Sequence, residues 1–275
     1  MPRSHATLFQ GVMSPSATIT AGVIQGSVLG PTLFNITAST LTPFSSINKY
    51  FKYADGGYLV IPASNATSIS SELQHHAAWA SQRNLKLNIS KTAEIVFVRR
   101  RGKAPLPTPG INRVNSLKIL GVLVDDHLTF QEHVSQTINS CSQSLFALRT
   151  MRQHGLDNKS LCQIFTAKIL SKLTYAAPAW WGYISTSSKL QLESFLHKAN
   201  KFNFYPDNQP NFDQIIESIE YNLFRTITEN SKHSLHFLLP PIKQMQYNLR
   251  KRGHEFILPP KDNCNFINRC LYKYI

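Results

Sequence analysis

Asp55 is the first acidic residue in this 275-residue sequence, and it lies in the run KYFKYADGGYLV, residues 49–60. Asp-Gly between two runs rich in aromatic and β-branched residues is a strong hairpin signal. Such turns need Asp and Gly whether or not a metal is present, so these residues alone leave open whether Asp55 is a ligand or only a turn residue. A second segment, GVIQGSVLGP at 22–31, holds three glycines. Glycine lets backbone approach a ligand closely, and Gln25, Gly26 and Ser27 are the candidates for such contact. The alternative is a plain Gly-Ser turn before a helix. No Gly-Lys-Ser/Thr follows, so the segment is not a phosphate-cradling P-loop. Lys91 stands near the start of a strand, either as a positioned proton donor or as a solvated charge. Leu120, Gly121 and Val122, within LKILGVLV, are either a site of close backbone approach or a buried strand with one glycine. Cys141, Cys162, Cys264 and Cys270 have no CxxC spacing and no His complement, which points to free thiols in a reducing compartment.

The elements that must carry these residues can be read from pattern. Residues 1–21 are poor in charge and rich in Ser and Thr, as extended strands with a turn at Ser14–Pro15 would be. Pro31 suits the first turn of a helix over about 32–40. Residues 66–84 fit an amphipathic helix with Ile69, Leu73, Ala77 and Ala80 near one face. Residues 92–98 alternate as a strand. Arg99, Arg100, Arg101, Gly102 and Lys103, followed by three prolines to Pro109, form a basic loop. Residues 117–124 read as a buried strand. Helices follow over 130–153, 157–173, 186–203 and 211–229, then a short-segment, Pro-punctuated tail from His233 with a basic cluster at Arg250, Lys251 and Arg252. Trp79, Trp180 and Trp181 read as core or helix-packing residues.

Composition narrows the partners. Hydrophobic residues make up 42%, an ordinary globular share. Lys and Arg number 29 against 15 Asp and Glu, a formal charge of +14 that favours polyanions. The imbalance is sharpest in the middle. Between His133 and Tyr205 the only acids are Asp157 and Glu193. Arg149, Arg152, Lys159, Lys168, Lys172, Lys198 and Lys201 would there give salt-dependent, sequence-independent affinity for nucleic acid. The N-terminus lacks the apolar core of a signal peptide. The apolar stretch 164–184 is interrupted by Lys168, Lys172 and Pro178, which suits a buried helix rather than a membrane span. The expected setting is intracellular, cytoplasm or nucleus, with no membrane partner.

Taken in order, five blocks resemble the reverse transcriptases of non-LTR (LINE-like) retrotransposons of animals. GVIQGSVLGPTLFNI is similar to the segment after that family's first catalytic strand, with Ile24 where Pro is usual. KYADGGYLV is similar to its catalytic hairpin, where the pattern is Ala-Asp-Asp. WASQRNLKLNISKTAEIVF is similar to the next helix–strand unit, and KILGVLVDDHLTFQEHV to the primer-gripping strand pair and the start of the thumb. YNLRKRGHEFILP and NFINRCLYKYI are similar to the end of the open reading frame. The resemblance runs from about Thr20 to Ile275.

The resemblance implies an α+β fold: a partial polymerase palm over 1–124, with an antiparallel sheet and packed helices, a helical thumb-like region over 125–205, and a C-terminal tail over 206–275. It implies an RNA template and a DNA primer as partners and Mg²⁺ as cofactor. Asp55 would be the residual catalytic and metal-binding carboxylate, and Lys91 a proton donor to pyrophosphate. Gln25, Gly26 and Ser27 would lie under the nucleotide and template base. Leu120, Gly121 and Val122 would form the primer grip, and Arg149, Arg152, Lys168 and Lys172 would contact phosphates. Two departures matter. Gly56 replaces the second Asp of the pair, and the strand bearing the family's first Asp is missing before Gly22, so the palm part is expected to be marginal alone and the helical part to fold independently. One carboxylate will not hold two Mg²⁺ ions against water, because Mg²⁺ dehydrates reluctantly. The expectation is a polymerase fragment inactive by itself, with Mg²⁺ not bound productively. The alternatives are a non-catalytic basic nucleic-acid-binding protein and an enzyme completed by a complementing polymerase chain.

Overall fold

The computed structural model describes residues 3–19, 26–98, 102, 104–206, 208–243 and 256–274. Helices and strands are mixed along the chain, as an α+β reading requires, and two compact units form: Met1–Glu94 with Lys103–Val114, and Ile95–Gly102 with Asn115–Ile275. The strands pair two by two. Among the described residues no larger sheet joins them, and one of the five pairings is parallel.

In the first unit, β1 (Arg3–His5) pairs with β4 (Ala17–Ile19), and β2 (Leu8–Phe9) with β3 (Val12–Met13), as one antiparallel ribbon. Its tip, Gln10–Gly11, has positive φ at both residues, the geometry of a tight two-residue hairpin loop. Leu8, Phe9, Val12 and Met13 stand exposed on it. Helix α1 (Gly30–Ser39) starts with Pro31 in its first turn, as expected. Its C-terminal carbonyls are covered by Lys52, whose Nζ donates to Ala38 O at 2.7 Å and Leu41 O at 2.8 Å.

Helix α2 (Ile69–Gln82) forms where the periodicity placed it, but the buried face differs from the expected one. Glu72, His76 and Ala80 are buried, whereas Ala77 is exposed. Polar satisfaction, not apolarity, decides this. The Glu72 carboxylate accepts from the backbone N–H groups of Phe44 and Ser45, each at 2.9 Å, and from Asn48 Nδ2 at 2.7 Å. Asn65 Nδ2 then donates to Asn48 Oδ1 and to Ser45 Oγ. A buried carboxylate is tolerable only when so surrounded.

The expected strand over 92–98 shrinks to β7 (Ala93–Glu94), paired in parallel with β8 (Asn112–Arg113). The single strand expected at 117–124 is instead a hairpin, β9 (Ser116–Ile119) and β10 (Val122–Asp125), turning at Leu120–Gly121. The glycine in this apolar run marks a turn, not the interior of a continuous strand.

Most of the second unit is helical. Asp125 bridges hairpin and helix by accepting from the N–H groups of His127, Thr129 and Phe130 and from the Thr129 hydroxyl. Helix α3 (Gln131–Gln153) follows. The helix expected at 157–173 comes as α4 (Asn158–Ile164), a π-helical turn (Phe165–Leu170) and α5 (Ser171–Leu173). After α6 (Ala177–Trp180), α7 (Thr186–Lys201) and α8 (Phe212–Glu229) match their expected places. Asp157, Ser185 and Asn211 cap α4, α7 and α8, the last in a capping box with Gln214. The core gathers Leu145, Leu161, Phe165, Leu173, Trp180 and Phe204, among others, with Trp181 beside them. The tail also contains α9 (Phe266–Tyr274), whose Ile267, Cys270 and Leu271 pack with Phe224 and Ile227 of α8. Arg269 seals this contact by pairing with Glu220, itself almost wholly buried, and donating to the carbonyls of Asn263 and Cys264.

Candidate nucleotide and nucleic-acid site

Strands β5 (Lys49–Tyr53) and β6 (Gly56–Val60) pair in register from Lys49↔Val60 to Tyr53↔Gly56. The two loop residues are therefore Ala54, at φ 51°, and Asp55, while Gly56 belongs to the second strand. The hairpin expected from Asp-Gly forms, with Asp55 in the loop and Gly56 opening the second strand. Asp55 is exposed at the tip. A Cβ on Gly57 would overlap the Tyr50 hydroxyl and ring from the opposite strand, so a side chain there requires Tyr50 to move. Gly56 is less constrained: its Cβ would lie 3.2 Å from Tyr53 O, a gap that a small backbone adjustment relieves.

The first unit has three carboxylates, Asp55, Glu72 and Glu94. Glu72 is committed to Phe44, Ser45 and Asn48. Glu94 accepts from Thr108 N at 2.9 Å, Thr108 Oγ1 at 2.7 Å and Arg113 Nε at 2.9 Å. Burial would raise both acids, but the hydrogen bonds outweigh it and hold both below the usual carboxylate range. That leaves Asp55 as the carboxylate of this unit without such a commitment. Among the described residues no three His, Cys, Asp or Glu cluster so as to hold a metal ion. A two-Mg²⁺ centre needs several carboxylate oxygens converging, and this donor set does not fit one.

Other expected residues of the first unit lie as follows. Gln25 falls outside the described residues. Gly26 is exposed with φ 83°, and Ser27 O accepts from Gly30 N at the entry to α1. Lys91 is exposed at the end of a 3₁₀ turn, Ile89–Lys91, that Asn88 caps. The basic runs 99–101 with 103, and 250–252, lie outside the described residues.

In the second unit the β9–β10 turn has positive φ at Leu120, 47°, and Gly121, 90°. Tyr175, just after α5, donates its hydroxyl to Leu120 O at 2.9 Å, and its ring would stand 3.2 Å from a Cβ on Gly121. Val122 is buried. The structure thus joins the expected primer-grip turn to the segment that carries Lys172. No sequence signal singled out Tyr175.

The four expected phosphate contacts have different surroundings. Arg149 stacks 4.7 Å from the Phe202 ring and Arg152 4.2 Å from Phe204, and Arg152 also donates to Phe202 O at the end of α7. Lys172 donates to the Ser140 hydroxyl. Lys168 is exposed on the π-helical turn. Between α3 and α7 runs an open groove of about 490 Å³, lined by Ser135, Asn139 and Ser142 on one side and Gln191, Ser194 and Lys198 on the other. Ile138, Leu190 and Phe195 supply an apolar part of the lining, and no carboxylate is among the lining residues. Sequence reading missed the groove because neutral polar residues carry no charge signal. Cys141 and Cys270 offer no thiolate chemistry at neutral pH, since burial pushes their thiols up to about 11 and about 12.

The turn-borne carboxylate thus belongs to the first unit, and the basic helices with the pinned hairpin to the second. Comparison with known proteins finds relatives of one kind. Over 147 residues, 48% of this chain, it is 33% identical to the RNA-directed DNA polymerase from mobile element jockey of Drosophila melanogaster, covering 16% of that protein. It is 29% identical over 205 residues, 65% of this chain, to the probable RNA-directed DNA polymerase from transposon BS of the same fly, covering 22% of it. A jockey polymerase of Drosophila funebris is 26% identical over 192 residues, 63% of this chain and 21% of the relative. The resemblance to reverse transcriptases of non-LTR retrotransposons holds, and the chain matches a fifth or so of the relatives' length. No family model matches the chain, and no solved structure does. No helix among the described residues is long and apolar enough to cross a membrane.

Proposed function

We propose that this chain is a portion of an RNA-directed DNA polymerase of a retrotransposon, and that it does not polymerise by itself. The first half rests on the similarity to the jockey and BS polymerases. The second rests on one observation: of the three carboxylates in the first unit, two are spent on structural hydrogen bonds, and Asp55 is followed by Gly56. In this reading residues 1–124 are palm, 125–205 thumb-like and 206–275 tail. Asp55 is then a vestigial metal ligand, Lys91 a secondary proton donor, and Gln25, Gly26 and Ser27 the nucleotide and template contacts. The Leu120–Gly121–Val122 turn is the primer grip. The carboxylates free to share two Mg²⁺ ions are too few in this unit.

The expected residual activity is nucleic-acid binding by the helical part. Arg149, Arg152, Lys168 and Lys172, with the α3–α7 groove, would hold an RNA–DNA duplex without reading its sequence. The test is primer extension on an RNA template with Mg²⁺, run beside duplex binding at several salt concentrations. No templated incorporation above a protein-free blank, with affinity falling steeply as salt rises, is the expected pair of results. Incorporation above the blank would overturn the catalytic half. Absence of salt-dependent duplex binding would overturn the binding half.

A further inference from the structure

The segment Ala104–Pro109 reads APLPTP, so every residue in it is a proline or precedes one. Proline fixes its own φ near −65° and drives the preceding residue out of the helical region, so the segment favours a polyproline II course. Such a helix has three edges, because it repeats every three residues. Pro105 and Thr108 share one edge, Leu106 and Pro109 the second, Ala104 and Pro107 the third.

The first unit clamps this segment from one side. Thr108 is buried and held by both oxygens of Glu94. Arg113, fixed by Glu94, donates through Nη1 to Pro105 O at 2.6 Å and through Nη2 to Leu106 O at 2.9 Å. Every other residue from Ala104 to Pro109 is exposed, and the Leu106 side chain is 90% exposed. Four hydrogen bonds to the segment, the Arg113–Glu94 ion pair behind them and three prolines thus hold an apolar side chain out in water. Among the described residues nothing covers the Leu106 side chain. A binding partner would gain from the arrangement, because the ordering entropy of the segment is already lost before it arrives.

We propose that Ala104–Pro109 is a docking segment for a protein domain that reads polyproline II through an aromatic-lined groove with an acidic rim. Its two free edges each present one proline with one apolar side chain, Leu106 with Pro109 and Ala104 with Pro107, the kind of surface that packs into an aromatic-lined groove. The acidic rim follows from charge. The sequence places Arg99, Arg100, Arg101 and Lys103 directly ahead of the segment and has no acid between Glu94 and Asp125. This inference does not depend on the polymerase reading, since it uses neither Asp55 nor the helical bundle.

The test titrates the full chain with isolated SH3, WW and EVH1 domains and follows binding by calorimetry, with a duplex RNA–DNA titration in parallel. Saturable binding to at least one domain is expected, weakened about tenfold or more by Leu106→Ser and by Pro107→Ala. Because Leu106 is solvent-exposed, Leu106→Ser leaves the fold intact, which a thermal melt checks. Arg113→Gln keeps the contact residues but frees the segment, and is expected to weaken binding with a more unfavourable entropy. Failure of all three domains to bind would overturn the proposal, as would binding that Leu106→Ser leaves unchanged. If Leu106→Ser instead lowers duplex affinity, the segment is a nucleic-acid contact and the protein-docking assignment is wrong.

Discussion

At the scale of the residue, Glu72 and His76 lie one turn apart on the buried side of α2 and set opposite demands. Glu72 is ionised and saturated with donors, whereas the buried His76 Nε2 has no hydrogen-bond partner among the described residues. Glu72→Ala would orphan the N–H groups of Phe44 and Ser45 and the Asn48 amide, and should cost about 3–5 kcal/mol, read from urea unfolding. His76 is pushed below its usual range by burial first, against the attraction of Glu72 and with help from His75. Its folded value is depressed, so the unfolded chain takes up the proton first. Stability should therefore fall as pH drops below about 6.5, the ordinary imidazole value. His76→Phe should make that limb of a stability–pH curve shallower without loss at pH 8, the remainder coming from His133, which burial and then Lys118 also push below its usual range. A second decline follows at lower pH, where Glu72, Glu94 and Asp125, all held below the usual carboxylate range, lose their hydrogen-bonded charge. A wild-type curve flat from pH 8 to pH 5 would refute the His76 assignment.

At the scale of the element, the two hairpins differ in what their glycines do. In β5–β6, Gly57 makes room for the Tyr50 ring, so Gly57→Ala should destabilise the hairpin by about 1–3 kcal/mol through overpacking. Pairing it with Tyr50→Ala should recover part of the loss, which a double-mutant cycle on unfolding free energies would measure. Gly56→Asp supplies the second carboxylate that the resemblance leads one to expect, and its Cβ meets only the Tyr53 carbonyl at 3.2 Å and, at ordinary contact distance, the Tyr58 hydroxyl, so its melting temperature should stay within a few degrees of wild type. A collapse of stability in Gly56→Asp would mean that glycine is there for structure. In β9–β10, Gly121 combines a positive φ with close approach to Tyr175. Gly121→Ala should cost about 1 kcal/mol or more. Tyr175→Phe, which loses only the bond to Leu120 O, should cost about 0.5–1.5 kcal/mol.

At the scale of the whole molecule, the basic excess is not one uniform surface. Arg149 and Arg152 are partly occupied in stacking on Phe202 and Phe204, where they tie α3 to the end of α7. Their replacement by Ala should therefore lower both duplex affinity and thermal stability, whereas Lys168→Ala should lower affinity alone. Equal melting temperatures for all three variants would contradict this division. The tail is bound into the second unit through Arg269 and Glu220. Arg269→Ala leaves a buried carboxylate without its partner and should destabilise by about 3–5 kcal/mol, releasing α9 to proteolysis before the core helices.

Sequence by itself determined the family resemblance, the helices α1, α2, α3, α7 and α8, the β5–β6 hairpin and the interior place of Trp180. Each follows from local pattern: 3.6-residue periodicity, turn chemistry or motif order, all of which neighbouring residues enforce. Only tertiary structure decided which face of α2 is buried, because that depended on a carboxylate meeting N–H groups 27 and 28 residues away. The same holds for the turn at Leu120–Gly121, anchored by Tyr175, for the stacked state of Arg149 and Arg152, and for the clamp of Arg113 on Pro105 and Leu106. These are contacts between polar groups distant in sequence. Apolar periodicity does not register them, because their free energy comes from satisfied hydrogen bonds in a shared low-dielectric setting rather than from the pattern of any one segment.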